Sequence, residues 1–187
     1  FDIPVHAVER ALQVTNDYGR VAVIAREEGM DGLESVELEL GRPVRAMLAQ
    51  AGTATDALES WESVAVEPKF DGARVQIHHD PDGLSSPEAI AADPATGGPS
   101  ESDSQSASTD RTTAVFSRNM EDVTDALPEI VEFVESAVTA PAILDGEVVA
   151  VDDDGTPLAF QEVLRRFRRK HDVDRAREAV TVELHAF

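Results

Sequence analysis

Residues 80 to 113 constrain this chain more than any other stretch. They are rich in Ser, Asp, Pro, Gly and Ala, hold no aromatic side chain, and carry a single base, Arg111. Such a composition buries too little apolar surface to offset the entropy of ordering its backbone. The stretch therefore predicts a disordered acidic insertion, and any core must be built from what flanks it. The flanks suit that role. ARVQIHHD before it and TTAVFSR after it have strand character, so the insertion reads as a loop grown between two paired strands.

The rest of the chain alternates between two periodicities. Residues 4 to 28 predict two helices: PVHAVERALQV puts Val5, Val8 and Leu12 on one stripe, and TNDYGRVAVIAREEG offers Thr15 as N-cap and Gly29 as a stop. From Val36, VELELGRPVR predicts an extended linker becoming a strand, and 53 to 62 a short helix. SVAVEPK and ARVQIHHD then read as two extended segments joined across Asp71-Gly72. Beyond the insertion come a helix from Asp125 to Val138, with Pro128 in its first turn, and the strand AILDGEVVAVD. FQEVLRRFRRKHD predicts a basic helix with Phe160, Val163, Leu164 and Phe167 on one side and its arginines mostly around the other; VTVELHAF predicts a last strand. The fold class expected is α+β, built on antiparallel sheet. Phe1 is no translation start, two short helices cannot bury their own apolar faces, and the final strand stops in its middle, so a piece truncated at both ends is expected.

Composition excludes some functions and leaves others open. With no cysteine, no run of about 18 apolar residues and no signal-type N-terminus, the sequence predicts neither disulfides nor a membrane span, and a cytoplasmic setting. There are 37 Asp and Glu against 16 Lys and Arg, which ordinarily repels a polyanion. A carboxylate-rich, lysine-poor coat also suits molar salt, where the Debye length is about 3 Å and that repulsion is screened. Net charge therefore does not veto DNA.

The chemistry concentrates in EPKFDGAR, residues 67 to 74. A lysine amine is nucleophilic only when neutral, and at the ordinary pKa near 10.4 fewer than about one in a thousand are neutral at pH 7. A nearby cation, a bound metal or desolvation favours the neutral form, whereas carboxylates such as Glu67 and Asp71 oppose it. A nucleophile at Lys69 thus calls for a metal or local desolvation, and the plain alternative is a strand-end ion pair. Downstream, Asp145 and Glu147 are two apart on a predicted strand, on one face amid Ile143 and Val149. Two carboxylates on such a face need a cation or hydrogen-bond donors. The basic helix reads equally as a phosphate-contacting surface, through Arg165, Arg166, Arg168 and Arg169, or as a helix whose arginines pair with carboxylates. His6, His78, His79, His171 and His185 show no metal-ligand spacing, although the His78-His79 pair could bind a metal adventitiously.

In order, EPKFDGAR, FSRNMED, LDGE and ELHAF resemble the motif series of the ATP-dependent DNA ligases of the archaeal and eukaryotic replicative type, within the lysine nucleotidyl transferases. GRPVRAMLAQ is similar to the opening of that family's adenylation domain, and residues 5 to 35 to the last helices of its DNA-binding domain. The resemblance implies a DNA-binding helical part at 1–36 and the N-terminal part of an adenylation domain at 37–187. It implies Lys69 as the residue that takes AMP from ATP, with Glu67 reading the adenine amino group, Arg74 and Arg118 beside ribose and phosphate, Glu147 facing the ribose or a metal, and Phe187 stacking on adenine. Mg²⁺ or another divalent cation, nicked duplex DNA, a sliding clamp reached through other regions, and a monomeric state complete what it implies. The family's later lysine pair, metal-binding carboxylate and oligonucleotide-binding barrel are not found in this sequence. RNA ligases and capping guanylyltransferases share the K-x-D-G stretch, and an acidic interaction module without catalysis is the alternative from another class.

Overall fold

The computed structural model describes residues 3–46, 49, 51–84, 111–167 and 173–187. Among these residues, four strands form one antiparallel sheet in the order β2-β1-β3-β4: β1 is Ala73–His79, β2 Thr113–Ser117, β3 Ala142–Val151 and β4 Thr181–Ala186. Helices α1 (Val5–Thr15), α2 (Tyr18–Glu27) and α3 (Gly29–Glu34) precede it, and α4 (Ala54–Ser60) lies on the connection. A 3₁₀ turn at Thr124–Ala126 leads into α5 (Pro128–Ala137), while α6 (Phe160–Phe167) and α7 (Val173–Ala179) separate β3 from β4. The α+β class and antiparallel sheet agree with the sequence pattern.

Alternation along the strands sorts the sheet into two faces. Ala73, Val75, Ile77, Val115, Val148, Ala150 and Val182 turn to one side and pack with Leu127, Ile130 and Val134 of the 3₁₀–α5 segment and Val163 of α6. Their burial is the main favourable term holding this layer together, at roughly 25 cal/mol per Å² of apolar surface removed from water. Ala7, Ala11, Val21, Leu33 and Val36 form a second core among α1, α2 and α3. The opposite sheet face carries Arg74, Gln76 and His78 on β1 alongside Asp145 and Glu147 on β3.

The insertion leaves the sheet as expected, from between paired strands. β1 and β2 run from Val75↔Ser117 to His79↔Thr113, and the pairing continues into the neck: Asp80 N donates to Thr112 O at 2.8 Å and Leu84 N to Arg111 O at 2.8 Å. The disorder expected over 80–113 is thus corrected at both ends, 80–84 and 111–113 being ordered and paired, while 85–110 lie outside the described residues.

Three local expectations are corrected. Thr15 does not cap α2. It ends α1, its hydroxyl donating to Ala11 O, while Asn16 takes a left-handed φ of 50° and Asp17 caps α2 by accepting from Arg20 N at 2.9 Å. Of three consecutive residues able to cap, the last does so because Asn16 closes the preceding helix. Gly29 does stop α2 as expected: that helix ends at Glu27, and the glycine's φ of 68° closes it before the chain turns into α3. Residues 36–46 form no strand, since the amides of Gly41 and Val44 donate instead to His78 Nδ1 (3.0 Å) and Gln76 Oε1 (2.7 Å). SVAVEPK lies outside the sheet, with Val66 90% exposed. Both edges of β1 are already taken by β2 and β3, so no edge remains for 63–69 to fold back onto.

The described part of the 36–46 segment joins the two cores. Arg42 Nη1 donates to Thr15 O at 3.0 Å, Arg45 Nε to Asn16 Oδ1 at 2.8 Å, and Arg20 pairs with Glu39 at 2.6 Å. On its other side are the His78 and Gln76 bonds. His78 is fully buried: Nδ1 accepts from Gly41, which leaves the proton on Nε2 to donate to Gln76 Oε1 at 2.9 Å. His79 is also buried, against the Thr113 hydroxyl at 2.8 Å. With both rings buried and engaged, the adventitious metal site imagined for this pair does not form. Among the described residues no group of three His, Cys, Asp or Glu side chains could hold a metal ion.

Candidate active site

The segment 67–72 approaches β1 as irregular chain and reaches the sheet at the Ala73↔Val148 pair. Gly72 passes so close to β3 that a Cβ there would collide with the Val148 carbonyl oxygen and stand 2.8 Å from Glu147 Cγ. Only glycine permits this approach. It brings Gly72 N within 2.9 Å of Glu147 Oε1, to which the amide donates a hydrogen bond. Asp71 Oδ2 accepts from Phe160 N at 3.3 Å, tying the same turn to the start of α6. The Phe70 ring stacks on His185 of β4, centroids 4.0 Å apart and planes 20° from parallel.

Beside this turn opens a cleft of about 550 Å³ lined by Glu67, Pro68, Lys69, Phe70, Glu147, His185, Ala186 and Phe187. Lys69 is exposed at its mouth, its ammonium donating to Phe70 O at 3.3 Å. Glu147 stands opposite Arg74 on one side and His185 on the other, so three adjacent strands meet at this level. Phe187, 64% exposed, extends the cleft wall past the end of β4, with its amide donating to Asp145 O at 3.0 Å.

Arg74 lies next to the cleft rather than in its lining. Its Nε and Nη2 donate to the two oxygens of Asp145, at 2.9 and 2.5 Å, and its guanidinium sits 5.7 Å from the centre of the Phe187 ring. The hydrogen bonds it donates to Asp145 hold Arg74 above the usual arginine pKa, with burial opposing and the charges of Asp145 and Glu147 adding to the rise. The carboxylate pair predicted to need a partner thus finds two, Arg74 for Asp145 and a backbone amide for Glu147.

The structure brings Lys69, Glu67, Glu147 and Phe187 to one cleft and Arg74 to its edge. It does not bring in Arg118, which is exposed in the turn after β2. Nearby, Asp122 pairs with Arg111 at 2.5 Å.

Arg166 is a correction. It is 1% exposed, donating to Ala126 O and Val180 O at 3.0 Å each and pairing with Glu129 at 2.7 Å. Buried, with Nη1 and Nη2 held by two carbonyls and a carboxylate and only Nε without a partner, it cannot reach phosphate. At i+3 from buried Val163 it lies at the edge of the apolar stripe. Arg165 is exposed and pairs with Glu162 at 2.6 Å. Arg168 and Arg169 lie outside the described residues. Sequence reasoning passed over Phe70 and His185. The available signal was the aromatic inside K-F-D-G and a histidine two residues before Phe187.

Residues 104–187 match the model of the ATP dependent DNA ligase domain. The chain is 64% identical over 186 residues to the DNA ligase of Halorubrum lacusprofundi, covering 100% of this chain and 29% of that protein. The chain belongs to the ATP-dependent DNA ligase family. The DNA ligase of Haloarcula marismortui is 59% identical over 187 residues, 100% of this chain and 28% of that protein, and that of Archaeoglobus fulgidus 42% identical over 181 residues, 96% and 27%. The halophilic archaeal sources of the first two fit the high-salt reading of the acidic composition. The chain spans less than a third of the length of these relatives.

Proposed function

We propose that this chain carries the lysine-adenylation half of an ATP-dependent ligase that seals nicks in duplex DNA, with Lys69 as the residue adenylated. The observation that carries the reading is the shared cleft: a lysine, two carboxylates and an exposed aromatic, contributed by the 67–72 turn, β3 and the end of β4. Its volume is of the size that small-molecule sites have.

In the reading, the neutral Lys69 amine attacks the α-phosphorus of ATP. A nitrogen–phosphorus bond forms, the bond from that phosphorus to the α–β bridging oxygen breaks, and pyrophosphate leaves with the electron pair while the amine releases its proton. AMP then passes to the 5′-phosphate at a nick, and the 3′-hydroxyl attacks that phosphate, releasing AMP and closing the strand. Transfers of this type depend on positioning and charge neutralisation. Phe187 supplies a flat apolar wall for adenine, Glu67 an acceptor for its amino group, and Arg74, through Nη1, which its Asp145 pair leaves free, a donor towards ribose or phosphate. Arg118 would reach the nucleotide only by moving inward from its turn.

A divalent cation fits in one way. Glu147 and Glu67 line the cleft, and Mg²⁺ commonly takes one or two carboxylates together with substrate phosphates rather than an all-protein cage. It would supply neutralisation of phosphate charge. The helical part at 1–36, the adenylation part at 37–187, exposed Arg165 on DNA phosphate, and a clamp partner beyond this segment complete the proposal.

The test is covalent labelling. The full-length protein carrying this chain, incubated with α-labelled ATP, Mg²⁺ and molar salt, should acquire an acid-labile label and close a nick, and Lys69→Ala should do neither. Label retained by the alanine variant would remove Lys69 as nucleophile. Labelling by GTP in preference to ATP would point to capping chemistry, and no label at all to a module without catalysis.

A further inference from the structure

The turn that presents Lys69 has no ladder partner of its own, because strand pairing begins at Ala73. Among the described residues, the hydrogen bonds and ring contacts reaching residues 69–72 from elsewhere are three: Glu147 on the Gly72 amide, the Phe160 amide on Asp71, and His185 on the Phe70 ring. The last is closest to the lysine, since the Phe70 carbonyl accepts from Lys69 Nζ. His185 is also the direct cross-strand neighbour of Glu147, so two adjacent strand positions hold the turn at Phe70 and at Gly72.

We propose that His185 is a positioning residue for the nucleophile, holding Phe70 by its ring face so that the Lys69 amine stays over the cleft. Its contacts differ from those of the neighbouring histidines. His78 bonds through both ring nitrogens, to Gly41 and Gln76, and His79 through Nδ1 to Thr113, although His79 Nε2 is also buried without a partner. His185 Nε2 is buried without a hydrogen-bond partner, and the nearest carboxylate oxygen, on Glu183, is 3.8 Å away. A buried nitrogen left unpaired is a cost, so what the ring gains at this position is the stack. Phe187 follows directly on the end of the same strand, which places the proposed adenine wall two residues from the clamp on the lysine turn. An aromatic at 185 should therefore serve as well as histidine, and a small residue should not.

This inference rests on the ligase reading, and the experiment separates the two. In the full-length protein, single-turnover labelling by α-labelled ATP is followed at rising ATP for wild type, His185→Ala, His185→Phe and Phe70→Leu, with thermal melts as a folding control. Absence of label on the wild type would overturn the ligase reading itself. With wild type labelled, His185→Ala should slow labelling at saturating ATP about three- to tenfold, the range that one aromatic pair supports, and leave the half-saturating ATP concentration unchanged. His185→Phe should return the rate to within about twofold of wild type. Phe70→Leu should slow it as His185→Ala does, and the double variant no further. The proposal is overturned by wild-type rates in the alanine variant, by failure of phenylalanine to restore a folded protein's rate, by an effect confined to ATP half-saturation, or by additive losses in the double variant. If His185→Ala does not fold, the Phe70→Leu and His185→Phe pair decides alone.

Discussion

Lys69 and Arg166 are both cations in an acidic chain, and the fold treats them oppositely. Arg166 on α6 is enclosed by two backbone carbonyls and Glu129. Lys69 stands at a cleft mouth with one bond at 3.3 Å to its neighbour's carbonyl, although two carboxylates line the same cleft. The difference lies in the chain beneath each. Arg166 is carried on a regular helix against the core, so its long side chain has fixed acceptors within reach. Lys69 belongs to an irregular turn whose anchors act on residues 70, 71 and 72 and leave 69 uncommitted. A cation whose charge is spent on its own fold stabilises the fold, whereas one left uncommitted beside a cleft is available to a ligand.

The largest effect that would sharpen this contrast is on stability. Arg166→Ala should destabilise the chain by roughly 3–5 kcal/mol, because it strands a partly buried carboxylate and two carbonyls. Lys69→Ala should change stability by less than about 0.5 kcal/mol, as surface substitutions do. Urea unfolding of the two variants measures both, and equal costs would erase the distinction.

Next comes the turn itself. Gly72→Ala must push β1 from β3 or displace Glu147, so we expect a loss of about 1–3 kcal/mol, as overpacking causes. Labelling of Lys69 should fall with it. A variant as stable as wild type and fully labelled would show that the close approach is unnecessary.

Acid probes the seam between the two cores. Burial pushes the His78 imidazole down to about 4 from an ordinary 6.5. In the unfolded chain it takes up a proton near 6.5, whereas the folded chain refuses it until about 4, so the unfolded state binds more protons between those values. Stability from this group is complete above pH 6.5 and is lost as pH falls through that window, by up to about 3 kcal/mol. Melts at pH 7 and pH 4.5 should show a smaller drop for His78→Gln than for wild type. An identical drop would assign the acid sensitivity to other groups.

The smallest effect belongs to Arg165, 67% exposed and paired along the helix with Glu162. Arg165→Glu should alter stability by no more than about 0.5 kcal/mol. If Arg165 meets phosphate, it should weaken nick binding and lower the magnitude of the salt slope by about one. Unchanged binding would leave it a surface ion pair.

Legibility followed the range of the interactions. The expected helix over 125–138 is present as a 3₁₀ turn and α5, and strands appear at β1, β2, β3 and β4, because each has its periodicity within a few residues. The short helix expected at 53–62 appears as α4, held by a local capping box of Thr53 and Asp56. SVAVEPK has a strand's pattern and fails as one because the vacancy it would fill is occupied by segments far along the chain. The same distance hid the partners of Asp145 and Glu147, which pair with Arg74 and Gly72 more than seventy residues away.

Composition and order by themselves determined that this chain is α+β, that its acidic insertion interrupts a strand pair, and that a lysine turn precedes a carboxylate strand and an aromatic strand end. Those are local properties, written in residue type and spacing. Only the tertiary structure decided that Arg166 is buried, that Arg74 is claimed by Asp145, and that Phe70 rests on His185. Each depends on which distant backbone supplies the nearest acceptor or ring, and that is fixed by strand order and register.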